Sequence, residues 1–366
     1  MTHPKPAISV VVPLFNKAAY IARALESIRR QTWTDFEVVV VDDGSTDGGG
    51  AIAAQFADPR FRVVTQPNRG QGAARNRGIA EASGELIAFL DADDAWEPLF
   101  LEAVGGLAWS YPSAGILATG YRRRFGDGSD IEITARAARG GRTVLIGDYF
   151  RAAREGDLVT SSSTALPRAV LQHAGGFPEG EPMGEDRDLW LRVALDYPVA
   201  YDTRILAVYH SEAQGRSCDR PGMARRYPPA VRSLRALLRA GGLSRTQTAR
   251  VQSYADWLLL KHAYSIAYDG DRAALRQLLR AEQFATARRR LEARVLEALA
   301  AVLPLRVVAA LKFKPAAFLQ SLRQSRAFAG IFRLADAWLG RTVVRRTAVA
   351  RSRAIPRPQV ADRTAT

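Results

Sequence analysis

Apolar residues follow two rhythms along this chain. In the first ninety positions short, nearly continuous apolar runs recur at 8–12, 36–41, 61–65 and 86–90. They are rich in Val, Ile and Phe, and Pro, Gly, Asn or Asp punctuates the chain between them. Runs of this length, without polar alternation, predict interior strands of a parallel sheet buried on both faces. Between them the spacing turns helical: Ile21, Leu25 and Ile28 within 20–30, a short helix over 49–56, and a helix running through Ala82. Strand alternating with helix predicts an α/β fold with a mostly parallel, doubly wound sheet.

The pattern continues with a helix at 98–109 and a strand at 115–121. A polar, Gly-rich stretch at 122–142 reads as a loop or a hairpin insertion. A strand-like 160–166, a helix over 167–174, an acidic loop at 184–188, an amphipathic helix through Leu189, Leu191, Val193 and Leu195, and a strand-like 199–210 follow. From Arg225 the period is helical throughout. Val231, Leu234 and Leu238 form one face, which Gly241-Gly242 stops. Ser244 with Gln247 forms a capping box that opens a helix over 251–268. Asp271 caps another helix, and 286–301 and 319–339 complete the set. Residues 342–366 are Arg-rich, poor in large apolar side chains and expected to be disordered.

Charge divides the chain where the rhythm changes. Residues 1–215 hold 22 Lys and Arg against 28 Asp and Glu, a net −6; residues 216–366 hold 30 against 9, a net +21. Two parts with different tasks are expected: an α/β part at 1–215 and a basic helical part at 216–341, before the tail. The single cysteine, Cys218, excludes a disulfide framework and suits a reducing compartment. The opening Met-Thr-His-Pro-Lys-Pro has no apolar signal stretch. No apolar run reaches the ~18 residues that span a bilayer. The expected place is the cytoplasm.

Candidate chemistry gathers where the run at 86–90 ends, in Asp91, Asp93 and Asp94. Open α/β sheets bind ligands beyond the carboxyl ends of their strands. Three acids packed there repel one another unless a cation joins them. A hard divalent ion carrying a nucleotide diphosphate fits, because Mg²⁺ and Mn²⁺ prefer carboxylate and phosphate oxygens. The competing reading is a strand end followed by an Asp-rich turn or helix cap. On these residues alone both stand.

Several stretches occur in one order: V-V-V-P-L-F-N-K (10–17), V-V-V-D-D-G-S-T-D (39–47), N-R-G-Q-G-A-A-R-N-R-G (68–78), F-L-D-A-D-D (89–94), G-G-F (175–177) and G-E-D-R-D-L-W-L-R (184–192). Over about residues 7–212 this resembles family 2 of the glycosyltransferases, with the nucleotide-binding fold called GT-A. The resemblance implies an inverting, metal-dependent enzyme that uses a nucleotide-sugar donor, a UDP-sugar. Pro13 and Phe15 would line the uracil pocket, Asp43 would accept from the base, and Asp42 would support its loop. Arg75 would approach the diphosphate or base; the alternative is a surface Arg at a helix start. Asp91 would face the ribose or the metal, and Asp93 would hold Mn²⁺ or Mg²⁺, with Asp94 and His210 as further candidates. His210 could equally be an ordinary surface or core residue.

Glu185-Asp186 resembles the family's E-D motif, in which the Asp is the base that takes the acceptor hydroxyl's proton. The alternative for Asp186 is a helix N-cap, a place Asp188 could fill as well. Trp190 would be core or the floor of the acceptor site. The Q-x-x-R-W motif of processive synthases and their membrane helices are absent from this sequence, which implies addition of single sugars to a glycan or lipid-linked acceptor in cell-surface polysaccharide biosynthesis. A catalytically silent nucleotide-sugar-binding or scaffold protein of the same fold is the alternative, and intact Asp43, Asp91, Asp93 and Asp186 favour the enzyme.

In the basic part, Arg288-Arg289-Arg290, Lys312, Lys314, Arg323, Arg326, Arg345 and Arg346 accompany Phe328, Ile331, Phe332, Leu334 and Trp338. Basic amphipathic helices with aromatic residues suit the anionic inner face of a cell membrane. A helical appendage packed on the catalytic part is the alternative. A nucleic-acid partner is not expected, since no module for one is present.

Overall fold

The computed structural model describes residues 6–135, 142–154, 156–216, 226–282, 284–302 and 305. Its first half follows the alternation of apolar runs: β1 (Ile8–Leu14), α1 (Ala18–Arg29), β2 (Phe36–Asp42), α2 (Gly49–Ala54), β3 (Phe61–Thr65), α3 (Gln71–Glu81) and β4 (Leu86–Phe89). Then come β5 (Ala95–Trp96), α4 (Phe100–Ser110), β6 (Ile116–Arg124), β7 (Asp130–Ile133), β8 (Thr143–Ile146), α5 (Tyr149–Ala152), a 3₁₀ turn (Ser161–Ser163), β9 (Thr164–Pro167), α6 (Arg168–Ala174), α7 (Glu185–Val193) and β10 (Val199–His210). Four helices follow: α8 (Pro229–Ala240), α9 (Arg245–Tyr268), α10 (Arg272–Ala281) and α11 (Ala287–Val302).

The strands form one sheet in the order β3-β2-β1-β4-β9-β6-β10-β5, with β7 beside β6 and β8 beside β10. β1 is central and wholly buried, and it pairs in parallel with β2 and β4. Side chains alternate across a strand, so it supplies two cores. Ile8, Val10, Val12 and Leu14 pack with Ile21, Leu25 and Ile28 of α1 and with Phe100 and Val104 of α4. Val11 faces the other layer, with Ile87, Phe89 and Trp190. There α3 approaches β1 so closely that a Cβ at Gly78 would stand 2.3 Å from Val11 Cγ1, which is why glycine occupies that position.

The mostly parallel sheet expected from the sequence is present, and three details add to or correct that expectation. The sheet is mixed, because β9 runs antiparallel to both β4 and β6; an apolar run reads the same in either direction. The stretch 122–142 takes the hairpin reading, with residues 122–124 and 130–133 in strand. β6 continues to Arg124 and turns back as β7, where Ile131 and Ile133 alternate with Asp130 and Glu132 over too few residues to mark a strand. Finally, α7 begins at Glu185, inside the stretch expected to be an acidic loop. Gly184, at φ 85°, stands at its N-cap, so neither Asp186 nor Asp188 is the cap. The acids Glu185, Asp186 and Asp188 occupy the first turn, where the helix dipole favours negative charge. The apolar spacing that begins at Leu189 gave no sign of that turn.

The C-terminal helices continue the catalytic layer's core. Val231 and Leu234 of α8 and Tyr254 and Leu258 of α9 share one apolar cluster with Leu189 and Leu191 of α7. The capping box of Ser244 and Gln247 opens α9, and the Asp271 side chain accepts from Ala274 N at the start of α10. Cys218, the helix expected at 319–339, the tail at 342–366 and the basic–aromatic cluster from Lys312 onward lie outside the described residues.

Candidate active site

The carboxyl ends of β1, β2 and β4 and the start of α7 open into one cavity of about 690 Å³, lined among others by Pro13, Phe15, Asp43, Arg75, Asp91, Asp93 and Asp186. Local chemistry sets its rim. Asn16 takes a left-handed conformation (φ 52°), and its Oδ1 accepts from Thr46 N at 2.8 Å. Asp42 accepts from Ser45 N at 2.9 Å. The loops after β1 and β2 are thereby tied together.

Asp43 is 2% exposed and accepts three hydrogen bonds, from Gln66 Nε2 (2.8 Å), Arg69 N (2.9 Å) and Gly70 N (2.8 Å). A carboxylate offers about four lone-pair directions, so roughly one remains for a ligand. Gly70, at φ 88°, is the N-cap of α3, and its positive φ turns the chain so that its N–H meets Asp43.

The three aspartates after β4 have separate surroundings. Asp91 accepts from Gln71 Nε2 (3.1 Å) and Arg75 Nη2 (2.7 Å), while its own N–H donates to Ser162 Oγ. Asp93 pairs with Lys17 Nζ at 2.7 Å. Asp94 turns inward, its oxygens accepting from Ser162 Oγ (2.5 Å) and His210 N (2.9 Å). Burial, with Asp93 and Asp91 nearby, pushes its carboxyl well above the usual range. It therefore ties the aspartate turn to the end of β10. His210 lines the same cavity, its Nδ1 2.5 Å from Glu212 Oε1. Burial lowers its pKa more than Glu212 raises it, so the ring is neutral near pH 7.

Arg75 is not a surface residue. It is 1% exposed, bridges Asp91 and Glu185 (Nη1 to Oε1, 2.6 Å), and lies 5.2 Å from the Phe177 ring centroid. Burial disfavours its charge, but Asp91, Glu185 and Asp186 outweigh that and raise its pKa. Burial raises Glu185 in turn, and Arg75 offsets this only in part. Asp186 is the next residue. Among the described residues its carboxylate accepts only the Arg187 N–H, at 2.6 Å, leaving acceptor capacity free. Trp190 both lines the cavity and packs on Phe89 and Phe177, and its indole N–H has no partner among the described residues.

Among the described residues no group of three or more His, Cys, Asp or Glu stands ready to hold a metal ion. The donor set nonetheless suits one. Asp91 and Asp93 offer hard oxygens, each is now met by a cation, and Mg²⁺ is commonly held by one or two carboxylates together with substrate phosphates.

Sequence reasoning assigned no role to several neighbours that the fold supplies. Lys17 stood in plain view two residues after Phe15, and Gln71 lay inside the Gly/Arg/Asn segment. Ser162, 71 positions from Asp91, had no signal of its own.

Comparison with known proteins places this arrangement. EpsH of Bacillus subtilis, named as a glycosyltransferase, is 48% identical over 99 residues, 26% of this chain and 29% of its own length. The chain thus spans under a third of that relative. S. aureus TarS 1–349, solved in complex with UDP-GlcNAc, superposes with a TM-score of 0.64 at 18% identity, over 84% of this chain and 92% of that one. The mannosyltransferase PcManGT from Pyrobaculum calidifontis, solved with GDP-Man and Mn²⁺, superposes with a TM-score of 0.54 at 21% identity, over 88% of each chain. The fold is GT-A, a mostly parallel sheet flanked by helices, followed by a helical region. Residues 9–159 match the family model described as Glycosyl transferase family 2, and the chain belongs to that family.

Proposed function

We propose that this chain is an inverting, metal-dependent glycosyltransferase. It would move a sugar from a nucleotide-diphosphate donor, a UDP-sugar, to a hydroxyl of a glycan or lipid-linked acceptor in cell-surface polysaccharide biosynthesis. The observation that carries this reading is the meeting of Asp186 with Asp43, Asp91 and Asp93 in one cavity. The complexes of TarS with UDP-GlcNAc and of PcManGT with GDP-Man support a nucleotide-sugar donor.

The roles follow from placement. Pro13 and Phe15 border the base, with Asp43 as its acceptor. Asp91 and Asp93 would hold the divalent ion, Mn²⁺ or Mg²⁺, which would offset charge on the departing diphosphate. Lys17 and Arg75, each paired with one of these carboxylates and lining the same cavity, would offer positive charge to the donor's phosphates. The acceptor oxygen attacks the anomeric carbon, the bond from that carbon to the diphosphate oxygen breaks, and the hydroxyl proton passes to Asp186. One displacement inverts the anomeric centre. The proposed division is a donor part at 1–215 and a basic helical part at 216–341 that meets an anionic membrane surface. Among the described residues no helix is long and apolar enough to cross a membrane.

The test is Asp186→Asn. It removes a proton acceptor with little change of shape, so UDP affinity is retained and sugar transfer falls by roughly 10²–10⁴-fold, the range for a general base. Transfer near the parent rate would remove Asp186 from the reaction. Neither transfer nor donor hydrolysis by the parent with Mn²⁺, despite UDP binding, would favour a silent nucleotide-sugar binder.

A further inference from the structure

The cavity has a second wall, remote in sequence from the aspartate turn. It is made by Tyr121 and Arg123 of β6, Tyr149 of α5, Asp157, Arg187 of α7 and Tyr209 of β10. At its centre is one carboxylate. Asp157 is 2.5 Å from Arg187 Nη2 and 3.9 Å from Lys261 Nζ, which reaches it from α9. Burial alone would raise Asp157, but Arg187, Lys261 and Arg123 outweigh it and hold its carboxyl below the usual range.

The count of charges distinguishes this wall from the other. Around the aspartate turn, Lys17 has Asp93, and Arg75 has both Asp91 and Glu185. Here Arg123, Arg187 and Lys261 surround Asp157, with Asp186 as the second acid acting on Arg187, an excess of one positive charge. Among the described residues Arg123 has no carboxylate within salt-bridge distance. It donates to Ser211 Oγ and lies over the Phe125 and Tyr209 rings at 5.2 and 5.8 Å. Lys261 lies 5.4 Å over the Trp257 ring. Burial and, to a lesser degree, Arg187 outweigh Asp157 and lower the Lys261 pKa. The side chains are nevertheless open to solvent, Asp157 at 57% and Lys261 at 42%. A closed structural ion pair would not need this surplus or this exposure. The wall also adjoins the proposed base, since Arg187 donates its N–H to Asp186.

We propose that Arg123, Arg187 and Lys261 form an anion subsite for the acceptor, so that the acceptor carries a phosphate or carboxylate group close to the hydroxyl that receives the sugar. This rests on the reading of Asp186 as the acceptor's base. It gives α9 a direct part in acceptor choice through Lys261.

The experiment uses the full chain saturated with UDP and Mn²⁺, so that the diphosphate position is already filled. Methyl phosphate, methyl glucuronoside and neutral methyl glucoside are titrated in turn by calorimetry or by ligand-detected NMR. The expected result is that one of the two anions binds at least about ten-fold more tightly than the glucoside, which also tells a phosphate-bearing acceptor from a uronate-bearing one. Arg123→Gln and Lys261→Gln should each reduce that anion's affinity by about ten-fold, the loss of one charge-assisted hydrogen bond or ion pair. The UDP affinity of each variant reports that it is folded. Anions that bind no better than methyl glucoside, or that bind both variants as well as the parent, would overturn the proposal. If UDP itself does not bind, the glycosyltransferase reading fails separately, and the subsite is judged on the variants' loss of anion binding.

Discussion

Arg75→Met should strand a buried charge. The parent guanidinium is 2% exposed as a side chain, and its partner Glu185 is 5% exposed. Met keeps part of the contact with Phe177 but removes both ion pairs. Asp91, at 20% exposure and still bonded to Gln71, can recover hydration; Glu185 cannot. Removing one partner of a buried pair costs about 3–5 kcal/mol, most of it the penalty on the charge left behind. Protonation offers relief. Burial already raises Glu185 above its ordinary range, and loss of Arg75 raises it further. A carboxyl whose folded pKa lies above its unfolded value binds its proton more readily in the folded state. The penalty is thus full above the folded pKa and shrinks as pH falls through it toward the unfolded value. Urea unfolding at about pH 7.5 and about pH 5 should therefore show a large deficit for Arg75→Met at the higher pH and a smaller one at the lower. Adding Glu185→Gln should restore about 2 kcal/mol or more at the higher pH, because the stranded charge is gone. If the double variant is as unstable as Arg75→Met, or if the deficit is the same at both pH values, Glu185 is not the stranded group.

Asp93→Ala should weaken the Mn²⁺ dependence of UDP binding; calorimetry with EDTA and then with Mn²⁺ checks this, and equal UDP affinity in the parent with and without metal would refute the assignment. His262, buried in α9, has its pKa lowered by burial to about 4. The unfolded chain thus binds this proton more readily than the folded one, and stability is lost as pH falls from 6.5 toward 4. His262→Leu should flatten the fall in unfolding free energy across that window by up to roughly 2–3 kcal/mol, measured by urea unfolding, and a slope like the parent's would assign the acid sensitivity elsewhere. Residues 216–366 carry a net +21, so the protein should pellet with anionic vesicles and much less with neutral ones. Salt should weaken this, since each basic residue near the leaflet gains about 1 kcal/mol and screening reduces it. Removing residues 316–366 should release the protein with UDP binding intact, and indifference to anionic vesicles at low salt would favour a packed appendage.

What the chain determined locally could be read locally. The apolar runs of β1, β2 and β4 must be buried on both faces, and the acids that end β2 and β4 follow them directly, so the strands and the positions of Asp43, Asp91 and Asp93 were legible from neighbours one or two residues away. The capping box of Ser244 and the cap at Asp271 were legible for the same reason. The tertiary structure decided what those acids face. Arg75 meets Glu185 across 110 positions, Ser162 meets Asp94 across 68, and His210 N meets Asp94 across 116. No periodicity encodes such distances, because they depend on which strands pair and in which direction, and an apolar run carries neither. The same holds for Arg123, Arg187 and Lys261. They look like three solvated cations in the sequence, and only the packing of α9 against α5 and of α8 against both α7 and α9 brings them around one carboxylate.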